Sequence, residues 1–194
     1  MNKQKFIEDS LLESSELKKE ILKKCESEII NAVDAITIMF KRGNKLLLIG
    51  NGGSAADCQH IATELMIRLS HHIQRPALPA IALTTDTSNL TAGGNDIGYE
   101  NVFARNVEGL GSEGDILLAI STSGNSPNIL KAIEKAKSKN IFVIGLSGET
   151  GGKMAGICDI IIKVPSQNIQ RIQEGHLTIE HIICELVEME LYSN

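Results

Sequence analysis

The sequence predicts an α/β protein: a doubly wound, five-stranded parallel sheet with a helical N-terminal extension and a long closing helix. Three observations carry this. Short, continuous apolar runs alternate with stretches of helical periodicity, the pattern of parallel strands buried on both faces. The first run, residues 45–49, ends in the glycine-rich turn Gly50-Asn51-Gly52-Gly53-Ser54, and an apolar-periodic segment begins at once. The third run ends in a turn rich in hydroxyls, Ser121-Thr122-Ser123-Gly124-Asn125-Ser126, directly before another helical pattern. Residues 1–194 are read as one domain, with N-terminal helices over 1–43 and an α/β core over 44–194.

In chain order, residues 6–22 place Ile7, Leu11, Leu17 and Ile21 at helical spacing. A second helical segment carries Ile29, Val33, Ile36 and Phe40 and stops at Gly43-Asn44. Two amphipathic helices need something to cover, either the core or a partner subunit. After the first strand, glycine turn and helix comes a second strand at 79–83, then a polar loop in which Asp86 or Ser88 can cap a helix. Residues 89–96, with Gly93 and Gly94, read as a flexible connection, and 99–110 as helix. Strands follow at 115–120, 141–146 and 159–164, with a helix near 128–138 and a long one over 168–191.

Composition excludes several functions. The formal charge of −5 provides no basic footprint for nucleic acid. With no Trp, two Tyr and four Phe there is little to stack on bases. No apolar run approaches the roughly 20 residues of a membrane span, and no signal-peptide core follows the polar start. Cys25, Cys58, Cys158 and Cys184 lack any CxxC spacing and are read as free thiols of a reducing cytoplasm.

Both turns lie where strands meet helices, at the carboxyl edge of the sheet where such folds bind ligands. Gly50, Gly52 and Gly53 allow positive φ and close approach to the main chain, and the helix behind them offers free N–H groups to an anion. Four hydroxyls lie within residues 121–126, ahead of a helix with Pro127 in its first turn. One serves as an ordinary cap at Ser126; four suit a phosphate monoester, without lysine or magnesium. Gly50-x-Gly52-x-x-Ala55 also meets the loose dinucleotide fingerprint, with Asp86 as a ribose-binding acid, but that reading leaves the serine turn without a role. No Gly-Lys-Ser/Thr ends the glycine turn, which excludes a P-loop.

His60 and Glu64 stand at i and i+4 and share one helix face. The last helix supplies Gln173, Glu174, His176, Glu180 and His181, with Gln173 and His181 two turns apart. A His/Glu pair meeting a second His can bind zinc or move protons. The same residues also fit a solvated i,i+4 pair with surface histidines on the closing helix, and Cys58 fits a packing role.

The chain resembles the sugar isomerase (SIS) domains and, more closely, the phosphoheptose isomerase family, over nearly its whole length. The resemblance rests on Gly50-Asn51-Gly52-Gly53-Ser54, His60-x-x-x-Glu64, Gly94-Asn95-Asp96, residues 121–126, Gly151-Gly152-Lys153-Met154-Ala155-Gly156, and Arg171-Ile172-Gln173-Glu174 with His181. It implies a flavodoxin-like SIS fold and conversion of sedoheptulose 7-phosphate to D-glycero-D-manno-heptose 7-phosphate, the entry to nucleotide-activated heptose for lipopolysaccharide or other surface glycans. It also implies a homotetramer and zinc held by His60, Glu64, Gln173 and His181. The substrate contacts implied are Asn51, Gly52, Gly53, Ser54, Glu64, Asn95, Asp96, Ser121, Thr122, Ser123, Ser126 and Gln173.

The chemistry can be reasoned separately. Moving a carbonyl between neighbouring carbons requires a base for the C–H proton and an acid for the oxygens. Glu64 is assigned the first role and His181 the second. A zinc-bound Glu64 oxygen is a poorer base, so either its second oxygen reacts or metal binding and proton transfer are alternative uses of one cluster. Two other classes stand beside the enzyme: a non-catalytic SIS protein that binds a protein partner, and a sugar-phosphate sensor. Glu64 and His181, which such proteins do not need, favour the isomerase.

Overall fold

In the computed structural model, which describes residues 1–193, five parallel strands form one sheet in the order β2-β1-β3-β4-β5. The elements are α1 (Lys3–Lys41), β1 (Leu46–Gly50), α2 (Gly53–Met66), β2 (Ala80–Ala82), α3 (Thr87–Asp96), α4 (Val102–Leu110) and β3 (Ile116–Ile120). They continue with α5 (Pro127–Ser138), β4 (Phe142–Gly148), β5 (Ile160–Val164) and α6 (Ile169–Tyr192). This is the flavodoxin-like strand order. The strand order reverses between β1 and β3, a parallel pair whose register runs from Leu46 beside Ile116 to Gly50 beside Ile120. The glycine turn and the serine turn therefore leave the sheet side by side, at the switch point where such sheets bind ligands.

Successive side chains of a strand point to opposite faces, which explains the unbroken apolar runs. Leu46, Leu48, Leu118, Ile120, Leu146 and Ile162 pack under α1, α2 and α6. Leu47, Ile49, Leu117, Ala119 and Val143 pack under α4 and α5. The sheet is covered on both sides, and α2 and α6 share one of them.

Three expectations need correction. The N-terminus is a single 39-residue helix rather than two. Nothing between Leu22 and Ile29 is Gly or Pro, and Cys25, whose Sγ donates to the Lys163 carbonyl at 3.3 Å, continues the buried stripe. From Leu17 to Met39 that stripe covers the chain's own core, while Phe6, Ile7, Leu11 and Leu12 stay exposed. Residues 89–96 are not a flexible connection but most of α3. Asp86 Oδ1 caps it from the Asn89 N–H at 2.9 Å, Asn89 also donates to Asn106 at 2.8 Å, and Gly93 lets the Val102 side chain approach. Pro79, lacking an N–H, stays outside β2, although its carbonyl accepts from Leu46 N at 2.9 Å. Among the described residues no helix is long and apolar enough to cross a membrane.

Candidate active site

Of the three glycines in the first turn, only Gly52 takes a positive φ, +56°, as it starts α2. Gly50 is required for closeness: a Cβ there would lie 2.5 Å from the Ser54 carbonyl oxygen. Gly53 faces α6, where a Cβ would lie 2.7 Å from Nε2 of Gln173. Ser54 is buried in the first turn of α2. Asn51 exchanges two side-chain hydrogen bonds with Asn128 of α5, at 3.0 and 2.8 Å, and accepts a third from the Tyr99 hydroxyl at 3.4 Å.

The second turn is shaped by its own hydroxyls. Ser126 occupies the cap position of α5, yet its side chain makes no capping bond, contrary to expectation. Its Oγ instead lies 3.0 Å from Ser121 Oγ, and Asn128 Oδ1 accepts from the Ile129 N–H at 3.0 Å. Pro127 has no N–H and the Ile129 N–H is taken, so in the first turn of α5 the Asn128 N–H is the one left to a ligand. Ser123 Oγ accepts from Asn125 N at 3.2 Å, and Thr122 and Ser123 border a cleft of about 350 Å³ whose other wall includes Gly148, Ser166 and Ile172.

The third part is the cluster on α2 and α6. His60 Nε2 lies 2.8 Å from His181 Nε2 and 3.4 Å from Glu64 Oε1. The ligand atoms of His60, Glu64 and His181 all lie within 4.8 Å of one another. Two imidazole nitrogens and a carboxylate oxygen, converging from two helices, are a donor set that zinc accepts. The residues present therefore fit the metal. Gln173 sits two turns back along α6 from His181, against Gly53. One helix thus touches all three parts: Ile172 at the serine-turn cleft, Gln173 at the glycine turn, His181 at the cluster. Asn95 and Asp96 are not brought into the cluster. They are exposed on the last turn of α3, where Asn95 donates to Asp96 at 2.7 Å.

Near the site, Asn128 and Asp57 were not singled out by the sequence, and Glu180 and His176 were named only among the polar groups of the closing helix. Asn128 follows a proline, and only its partner Asn51 across the switch point identifies its role. Asp57 lies one turn before His60; burial raises its carboxyl, although His60 acts to lower it, and its Oδ2 is buried without a partner. Its i, i+3, i+7 spacing with His60 and Glu64 was a usable signal. Glu180, beside His181, is fully buried with neither oxygen bonded, and burial and then Asp57 push its carboxyl up to about 8. His176 is no surface residue: it is fully buried with Nε2 3.1 Å from the Ser147 carbonyl, and burial lowers it to about 4. It therefore donates as a neutral imidazole. Cys58 is a packing residue, as expected. All four cysteines are free, and burial raises each thiol.

Known proteins give this arrangement a family. The SIS domain model matches residues 11–148. The phosphoheptose isomerase of Aneurinibacillus thermoaerophilus is 50% identical over 193 residues, covering 97% of this chain and 96% of that protein. Phosphoheptose isomerase 2 of Campylobacter jejuni is 53% identical over 189 residues, 95% and 90% of the two chains. A solved phosphoheptose isomerase from Francisella tularensis superposes with a TM-score of 0.93 at 38% identity, covering 97% of this chain and all of that one. With its switch-point turns and its His/Glu/His cluster, the chain belongs to the SIS domain family and, within it, to the phosphoheptose isomerases.

Proposed function

We propose that this protein interconverts sedoheptulose 7-phosphate and D-glycero-D-manno-heptose 7-phosphate through an enediol(ate). The observation that carries the reading is the meeting of His60, Glu64 and His181 beside the Gly53–Gln173 contact. The phosphate enters the hydroxyls of Ser121, Thr122, Ser123 and Ser126 and meets the Asn128 N–H at the start of α5. Asn51, Gly52, Gly53, Ser54 and Gln173 line the path of the sugar, and Asn95 and Asp96 meet it from α3. From Ile172 to His181 is nine residues of helix, about 13 Å. An open seven-carbon chain with its phosphate at one end and its carbonyl at the other suits such a separation.

At the cluster end, Glu64 takes the proton from the carbon next to the carbonyl, and the C–H electron pair becomes the enediol double bond. His181 supplies a proton to the carbonyl oxygen and receives one from the neighbouring hydroxyl. Glu64 then returns its proton to the other carbon. His60, Glu64, Gln173 and His181 would hold one zinc ion per subunit, which when bound supplies Lewis-acid polarisation of the carbonyl oxygen. Glu64 has two oxygens, one for each of its assignments.

The reading takes residues 1–194 as one SIS domain, supported by the shared core of α1, the sheet and α6. It takes the protein as a cytoplasmic homotetramer serving lipopolysaccharide or another surface glycan. The exposed Phe6, Ile7, Leu11 and Leu12 on α1 support assembly. Purified protein supplied with zinc should convert sedoheptulose 7-phosphate to the aldose. No turnover under those conditions would sink the enzyme reading in favour of a binding role.

A further inference from the structure

The segment between α2 and β2 carries Arg75, whose side chain is fully buried. Its Nη2 donates to the Glu64 carbonyl at 2.7 Å, and its Nη1 to the Leu65 carbonyl at 2.7 Å and the Pro76 carbonyl at 3.0 Å. Nε and Nη2 also meet Glu188 Oε1 of α6 at 2.6 and 2.5 Å. The same oxygen accepts from the Leu69 N–H at 3.2 Å. A buried cation thus satisfies carbonyls that the last turn of α2 leaves open, at the helix end where the macrodipole favours positive charge. It ties that end to a glutamate two turns beyond His181 on α6.

The two helices that carry the cluster are therefore joined at both ends. Gln173 lies against Gly53 at the start of α2, Arg75 with Glu188 bridges its finish, and His60, Glu64 and His181 meet in between. One bond lands on the main chain of Glu64 itself. We propose that Arg75 is a positioning residue for the cluster: its grip on the Glu64 and Leu65 carbonyls, anchored by Glu188, sets where Glu64 and His60 stand against His181. The proposal rests on the isomerase and metal reading above. Arginine suits this post because its planar fork serves three carbonyls and a carboxylate at once, which lysine cannot do.

The test separates positioning from stability. Removing Arg75 alone leaves Glu188 buried and unpaired, so the variant examined is Arg75→Met with Glu188→Met, in which an apolar pair replaces the ion pair. Zinc affinity is measured by chelator competition, and kcat and KM with sedoheptulose 7-phosphate. The double variant should melt within a few degrees of wild type, yet bind zinc at least tenfold more weakly. Its kcat should fall at least tenfold while KM, set largely by the phosphate end, stays within about twofold. Wild-type zinc affinity and kcat in the double variant overturn the proposal. If the double variant does not fold, Arg75→Lys replaces it: weakened zinc binding and kcat support the proposal, and wild-type values overturn it. Lys45→Met, which disturbs the Lys45–Asp115 pair at the amino ends of β1 and β3, is the control. It should lower the melting temperature and leave both readouts unchanged; if it weakens zinc binding equally, positioning by Arg75 is refuted. A wild-type protein that binds no zinc removes the metal reading instead. The split between kcat and KM then decides on Arg75: reduced kcat at constant KM supports it, and unchanged kcat overturns it.

Discussion

Asn51 and Asn128 clasp each other amide to amide, the first at the end of β1 and the second in the opening turn of α5. The clasp spans the point where the strand order reverses, so it holds together the two turns that leave the sheet there. Asn128→Ala leaves the Asn51 amide without its partner. The expected cost is about 1–3 kcal/mol in denaturant unfolding, together with a raised KM because the turns lose their mutual alignment. Unchanged stability and KM would show that the clasp is incidental.

Glu64→Gln and His181→Gln each keep shape and remove one of the two groups proposed to transfer protons. Turnover should fall by about 10²–10⁴-fold or more in either variant, with far-UV circular dichroism and melting temperature near wild type. Normal turnover in either removes that residue from the role assigned to it.

Two glycines should respond to alanine with opposite signs. Gly124 sits at φ +63° in the serine turn, and a Cβ there would lie 2.0 Å from the Gly151 carbonyl oxygen. Gly124→Ala should destabilise by more than about 2 kcal/mol and weaken substrate binding. Gly109, inside α4, has nothing within 4 Å of its added Cβ. Gly109→Ala should stabilise by about 0.5–1 kcal/mol. Chemical denaturation of both variants checks the pair.

Glu180 makes stability depend on pH. Its carboxyl titrates near 8 in the folded protein, against 4.5 as the ordinary value. Below pH 4.5 both states hold the proton and there is no effect. As pH rises toward 8 the unfolded chain ionises while the folded chain keeps its proton, so stability falls by up to about 1.4 kcal/mol per unit. Above 8 the loss is constant. Metal-free Glu180→Gln should therefore match wild type near pH 4.5 and become progressively more stable toward pH 8. Parallel melting curves across that range would contradict a buried, neutral Glu180.

The sheet was legible because its strands are buried on both faces, which leaves continuous runs such as residues 116–120 that only a parallel arrangement explains. The extent of α1 was not, since its apolar stripe thins around Cys25 and sulfur stood where an aliphatic residue was expected. Helix α3 was hidden by Gly93 and Gly94, whose low propensity is overridden by the Asp86 cap and by packing on Val102. At the site, His60 and Glu64 could be paired from their spacing, because four residues is one helical turn. Their meeting with His181, 121 residues away, has no signature in local spacing; the family resemblance supplied it. Arg75 and Asn128 could not be singled out at all, since each has its role only through partners from other elements.

The separation of the cluster between α2 and α6 also sets an order of events during synthesis. At about 5–20 residues per second, His181 leaves the ribosome roughly 6–24 s after His60. In the later part of that interval the glycine turn and the serine turn have both been made, while His60 and Glu64 have no third side chain to face. The His/Glu/His cluster is therefore the last part of the site that the chain completes, and a nascent chain that stalls before α6 carries both switch-point turns without Ile172, Gln173 or His181.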